Sequence, residues 1–325
     1  MKTIRVKYCD GYGVPGFIDE VLKKHYKVVE SDDPQFVFYS VCGYEHLRWP
    51  KAVRVFYSEE CCVPDFRYCD YAISYDRMDY GERYCRLPYY YGIEKYSSAL
   101  PGDEELLNRK FCNFVYSNAS RGEGAGLRID FCQKLADYRF VECPGKVLHN
   151  VDNAIEPRDG DWQAGKLRYL SGFKFTIAFE NGSYPGYTTE KLIHPLMAHS
   201  LPIYWGNSEV GREFNTAAFL NAADYAYDLD RLLRRVIELD QDDEQYLAML
   251  RQPIFAPDFD YGATLERLEC FLCRLVERGR GFDRDPMGFA AFSTLCDFTA
   301  GELARELARR AAPTGLKAAL KRLIH

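Results

Sequence analysis

The chain has 325 residues, more than one hydrophobic core usually serves, so two domains are expected. Its 47% hydrophobic and 28% charged residues exclude a disordered chain, and a net charge of −6 argues against nucleic acid as a partner, because phosphate binding needs a basic face. No apolar run reaches the length of a membrane span, and Met1–Arg5 leads into a strand-like stretch without the apolar core of an export signal. With no such signal, the 12 Cys read as free thiols in a reducing compartment, and a cytoplasmic location is expected. Aromatic residues make up 15% of the chain, which suits sugar- or base-stacking surfaces, although core packing accounts for most of them.

In chain order, Thr3–Tyr8 reads as a strand, Asp10–Gly13 as a turn, Gly16–Lys24 as a helix and Tyr26–Glu30 as a strand. Gln35–Val41, Val53–Tyr57 and Tyr71–Ser74 are short apolar or β-branched runs of the kind buried in parallel sheets. A linker composition follows at Ser97–Asp103, and then a second α/β series begins. Phe111–Ser117, Lys174–Glu180 and Leu201–Trp205 read as strands; Gly126–Asp137, Trp162–Leu170 and Thr188–His199 read as helices. The remainder is helical at Leu229–Leu239, Asp242–Leu250 and Ala263–Arg278. The Cys270-x-x-Cys273 pair within the last of these finds no further ligands and reads as a buried helix face. The domains expected are 1–102, 103–280 and a helical tail, 281–325. From Gly301 the tail sets Leu303, Leu307, Leu316, Leu320 and Leu323 among Arg and Lys, a basic amphipathic pattern. That pattern fits docking on the protein's own surface or peripheral attachment to an anionic inner membrane.

The most informative stretch is Phe175–Asn207. An apolar strand ends at Phe179-Glu180-Asn181, a Gly/Pro loop follows, and Thr188 or Thr189 can cap a helix carrying Glu190 and Lys191 in its first turn. Free backbone N–H groups, the helix dipole and the Lys191 charge together make an anion site, suited to a sugar diphosphate. Taken locally, a capped helix with a solvated Glu–Lys pair fits as well. Three D-x-D patterns, at Asp228/Asp230, Asp258/Asp260 and Asp283/Asp285, have the form of metal-holding pairs. Asp228 falls where a helix starts, so capping explains it better, and no His cluster has metal-ligand spacing.

Phe179-Glu180-Asn181, Tyr187-Thr188-Thr189-Glu190-Lys191 and Pro202-Ile203-Tyr204-Trp205-Gly206 together resemble the donor-binding motif of the α1,3/4-fucosyltransferases, glycosyltransferase family 10, bacterial type. Gly182 departs from the Ser usual in that family after Phe-Glu-Asn; the change loosens the loop but spares the charged positions. FCNFVYSN at Phe111–Asn118, followed by Arg128, resembles the family's first donor-domain strand and its phosphate-binding arginine. Without the match, Arg128 reads as a surface helix residue. Val55–Glu60 with Asp70-Tyr71-Ala72-Ile73 resembles the acceptor-domain segment that carries the family's base, which spacing places on Glu60 beside Glu59.

The resemblance implies a GT-B fold, with two Rossmann-like domains facing a central cleft, and an inverting transfer of fucose from GDP-fucose. The acceptor it implies is an N-acetylglucosamine-containing glycan such as N-acetyllactosamine, giving Lewis-type products on protein or lipopolysaccharide. Glu60 would be the general base. Arg128, Asn181, Tyr187, Glu190 and Lys191 would hold the donor, with Glu190 also stabilising the cationic transition state. Two cations at the diphosphate imply that no divalent metal is required. Two rival readings share the architecture: a transferase using another nucleotide sugar, and a non-catalytic glycan-binding protein.

Overall fold

The computed structural model describes residues 1–11, 15–58, 60–87, 99–120, 122–152, 155 and 162–282. Compact units divide the chain in two: Met1–Ser74 and Met78–Arg86 with the chain from Glu266 onward, and Tyr75–Arg77 with Leu87–Leu265.

The first unit holds β1 (Thr3–Cys9), α1 (Gly16–His25), β2 (Lys27–Glu30), β3 (Phe36–Tyr39), β4 (Val53–Tyr57), β5 (Tyr71–Ser74) and β6 (Tyr84–Arg86). Its sheet runs β2-β1-β3-β4-β5-β6 and every pairing is parallel. The sequences FVFY, VRVFY and YAIS of β3, β4 and β5, three of the four inner strands, are buried along their whole length, as a sheet covered on both faces requires. KVVE at the edge buries none of its residues. Asp19 opens α1 and Lys23, Lys24 and His25 close it, an order that complements the helix dipole.

The second unit holds α2 (Asp103–Leu107), β7 (Lys110–Asn113), α3 (Glu123–Tyr138), β8 (Val141–Glu142), α4 (Trp162–Leu170), β9 (Phe173–Phe179), α5 (Glu190–Met197), β10 (Leu201–Trp205), β11 (Leu220–Asn221), α6 (Leu229–Asp240) and α7 (Asp243–Leu250). Its sheet, β11-β10-β9-β7-β8, is again parallel throughout. All seven residues of the central β9 are buried, including Lys174, whose ammonium lies 3.2 Å from the Asp240 carboxylate. Phe131 and Leu135 of α3 join Leu232, Val236 and Leu239 of α6 in the core around Phe175, Ile177 and Phe179.

The last helix, α8 (Tyr261–Arg278), extends past the point where the compact units change. From Glu266 on, its partners belong to the first unit: Phe271 meets the Tyr71 ring at 6.0 Å, and Glu269 pairs with Lys24 and His25. The units therefore divide the chain elsewhere than at 102 and 280. Cys270 does not sit on a buried face. The helix turns Leu268, Phe271, Leu272, Leu275 and Val276 inward, which leaves Cys270 exposed and Cys273 half-buried.

The strand expected over Phe111–Ser117 ends at Asn113. Phe114 makes one more ladder bond, to the Glu142 carbonyl, before the chain turns and drives the Tyr116 phenol toward β9. Asp103, expected within the linker, instead opens α2 at the head of three acidic residues. Asp228 caps α6 as the sequence suggested, accepting from the Asp230 and Arg231 N–H groups at 3.0 Å, and Asp260 accepts from Ala263 N–H at the start of α8. The Asp283/Asp285 pair and the tail from 283 onward lie outside the described residues. Among the described residues every cysteine is free, no group of three His, Cys, Asp or Glu could hold a metal ion, and no helix is long and apolar enough to cross a membrane.

Candidate active site

The site of the second unit lies where β9 and β10 end and α3 and α5 begin. Parallel α/β sheets bind ligands at this edge, beyond the carboxyl ends of the strands. Glu180 extends the β9–β10 ladder by one bond, from its N–H to the Trp205 carbonyl at 2.8 Å. Its side chain is fully buried and turns back to the start of α5. There the carboxylate accepts from Thr189 N–H and from the Thr189 hydroxyl, each at 2.7 Å. Thr189 in turn caps α5, its Oγ1 accepting from Lys191 N–H at 3.4 Å.

Lys191 is the focus of this arrangement. Its ammonium lies 3.2 Å from Thr189 Oγ1, 3.4 Å from a Glu190 oxygen and 3.5 Å from a Glu180 oxygen. Burial alone would lower its pKa, but the two carboxylates hold it above the ordinary lysine value. Burial would raise Glu190, yet Lys191 and Lys166 keep its carboxyl well below the usual range. Glu180, more deeply buried, is pushed up, first by desolvation and then by the Glu190 charge. On the next turn of α5, burial together with Lys166 drives His194 down to about 3, so its ring is neutral near pH 7.

Arg128 comes to the same edge from α3 and is only 1% exposed, not the surface residue that local sequence suggested. Its Nη1 donates to Asn181 Oδ1 at 3.0 Å and its Nη2 to the Asn118 carbonyl at 2.6 Å. The guanidinium carbon lies 4.1 Å from the centre of the Tyr116 ring. Among the described residues its Nε–H has no hydrogen-bond partner, and no carboxylate pairs with it. A buried cation without a carboxylate partner is costly by itself and favours a bound anion. Burial pulls its pKa below the ordinary arginine value.

Two further features complete the edge. Gly122 and Gly124 bring the start of α3 against the exit of β9; a Cβ on either would sit 2.0 Å from a carbonyl oxygen, of Asn181 and Glu180 respectively. Asn207, buried after β10, accepts from Gly186 N–H and Glu209 N–H at 2.8 and 2.9 Å and donates to Thr188 Oγ1 at 3.0 Å. It pegs the loop between Gly182 and Thr188 to the sheet.

The residues singled out in sequence thus fall in two groups. Arg128, Asn181, Glu190 and Lys191 meet at this edge of the second unit. Tyr187 is buried beside them, its ring 4.8 Å from that of Tyr75 and its phenol near enough to act electrostatically on the Arg128 guanidinium. Glu60 belongs to the first unit, just past β4, and is half-buried. Ser58 fixes its backbone, accepting from Glu60 N–H at 3.1 Å and donating to its carbonyl at 2.9 Å. Glu59 lies outside the described residues. Sequence reasoning missed Tyr116, Thr189 as the partner of Glu180, and Asn207. The Gly-x-Gly before a helix, and a polar residue directly after the Gly206 strand end, were the available signals.

A parallel sheet in each unit, with a cation-bearing helix start at a strand end of the second, is the α/β architecture of a GT-B fold. The profile of the glycosyltransferase family 10 (fucosyltransferase) C-terminal domain matches residues 108–279, and that of the α-(1,3)-fucosyltransferase FucT N-terminal domain matches residues 6–92. The chain belongs to glycosyltransferase family 10. The α-(1,3)-fucosyltransferase FucT of Helicobacter pylori is 29% identical over 284 residues, 75% of this chain and 57% of that protein. The chain therefore spans little more than half of that relative. α-(1,3)-Fucosyltransferase B of Drosophila melanogaster is 48% identical over 88 residues, 26% of this chain and 20% of that protein. Among solved structures, an α1,3-fucosyltransferase with GDP matches in fold with a TM-score of 0.71 at 24% identity, covering 88% of this chain and 93% of that one. One with GDP-fucose matches with a TM-score of 0.65, also at 24% identity, covering 83% and 90%.

Proposed function

We propose that the protein is an inverting α1,3- or α1,4-fucosyltransferase, moving L-fucose from GDP-fucose to a hydroxyl of an N-acetylglucosamine-containing glycan of the N-acetyllactosamine type. The observation that carries this reading is the buried Arg128 guanidinium, unpaired with any carboxylate among the described residues, at the strand edge that also holds Lys191. A pyrophosphate supplies the missing negative charge. Its oxygens take over the hydrogen bonds that Arg128 now gives to Asn181 Oδ1 and the Asn118 carbonyl.

The reaction is one in-line displacement. Glu60 takes the proton of the acceptor hydroxyl as that oxygen attacks the fucose anomeric carbon. The bond from that carbon to the pyrophosphate oxygen breaks on the opposite face, and GDP leaves with an added negative charge. Arg128 and Lys191 neutralise that charge as it develops. Glu190 is held ionised by Lys191 and Lys166 and stabilises the oxocarbenium-like sugar. With two fixed cations at the leaving group, no divalent metal is needed for charge neutralisation.

Incubation with GDP-fucose and N-acetyllactosamine, with GDP release and product linkage measured, tests the activity. Competition by GDP against UDP tests the nucleotide. Tighter binding of UDP would move the protein to another donor, and absence of GDP release over a range of acceptors would leave a glycan binder.

A further inference from the structure

We propose that Tyr116 is a positioning residue for the pyrophosphate: its ring is the shelf that sets the plane of the Arg128 guanidinium. The inference rests on the reading of Arg128 as a pyrophosphate ligand. Tyr116 lies three residues beyond β7 in the buried floor of the site. Its ring centre is 4.1 Å from the guanidinium carbon, close enough for the negative face of the ring to offset the cation. Burial raises the phenol's pKa, so the group is neutral and the contact is a cation–π contact rather than an ion pair.

The ring itself is held from two sides. Its hydroxyl accepts from Phe179 N–H at 2.8 Å and has the Ile177 and Phe179 carbonyls at 3.0 Å as acceptors for its proton. Its backbone carbonyl accepts from Val147 N–H at 3.1 Å. The phenol thus fastens the end of β9, immediately before Glu180 and Asn181, while the ring face fastens Arg128. Arg128 makes hydrogen bonds through its two terminal nitrogens only, so the shelf is what restrains the tilt of the guanidinium plane. Two parallel bonds to a phosphate need that plane fixed.

The test is a double-mutant cycle on GDP affinity, read by calorimetry on the full chain. Tyr116→Leu is expected to weaken GDP binding about tenfold, the scale of a desolvated cation–π contact. In an Arg128→Ala background the same change is expected to alter the affinity less than about twofold, because the contact it removes is already gone. Tyr116→Phe keeps the ring and is expected to restore most of the affinity while lowering thermal stability. Equal losses in both backgrounds, or no loss in either, overturn the shelf. Unchanged GDP binding in Arg128→Ala alone overturns the pyrophosphate reading instead, and the shelf with it. If Tyr116→Leu does not fold, progressively fluorinated phenylalanines at position 116 keep the shape and remove the negative face. GDP affinity is then expected to fall with each fluorine, and a flat series overturns the proposal.

Discussion

Thr189 gives both its backbone N–H and its hydroxyl to the Glu180 carboxylate, at 2.7 Å each. That pair ties the exit of β9 to the start of α5, and Lys191 sits against the same carboxylate. Thr189→Val removes the hydroxyl bond and the cap together and is expected to lower unfolding free energy by about 1–3 kcal/mol. Urea denaturation checks this; a loss below about 0.5 kcal/mol would mean that the clamp contributes little.

Arg128→Ala and Lys191→Ala are each expected to lower turnover by ~100–1000-fold and to weaken GDP binding as well. Arg128→Lys is not expected to rescue, because an ammonium lacks the planar fork that grips two oxygens. Steady-state kinetics with GDP inhibition measure both effects. Turnover near that of the unaltered chain in Arg128→Ala would remove the residue from the reaction.

Glu60→Gln is expected to reduce transfer by ~100-fold or more while leaving GDP-fucose affinity nearly unchanged, as expected of a base that contacts only the acceptor. Glu59→Gln serves as the control. Loss of activity in Glu59→Gln with Glu60→Gln retained would move the base by one residue.

Transfer is expected to survive EDTA, because Arg128 and Lys191 supply the positive charge at the leaving group. Turnover before and after chelation decides it, and a loss restored by manganese would contradict the assignment.

His194 is buried on α5 and its pKa is pulled from 6.5 to about 3 by desolvation and by Lys166. Because the folded value lies below the unfolded one, the associated stability is complete above about pH 6.5 and is lost as pH falls toward 3. Between pH 6.5 and 5 the loss is expected to reach about 2 kcal/mol, at ~1.4 kcal/mol per unit. His194→Gln flattens that limb of the stability curve, and urea midpoints at the two pH values provide the measurement. Identical curves for the two proteins would rule it out.

Much of the architecture could be read from sequence where apolar runs are long enough to be distinct. Val53–Tyr57, Tyr71–Ser74 and Leu201–Trp205 are strands with the limits their residues suggest. The α5 start was legible from Thr189, Glu190 and Lys191, since capping is a local property. β6, β8 and β11, of two or three residues each, carry too little pattern to be seen. What local pattern cannot give is depth. Arg128 reads as a surface arginine until α3 is packed against β9, and Tyr116 reads as one more strand residue until its phenol finds Phe179, 63 positions away. Exposure of Cys270 was hidden for the same reason, because the apolar stripe of α8 passes on either side of it.

Asn207 fastens the loop between Gly182 and Thr188 to the sheet through Gly186 and Thr188. Conformational freedom in that segment is therefore lost when the chain folds and not when a ligand docks. The entropy of ordering those residues is met in folding, so it does not count against a ligand that this loop contacts.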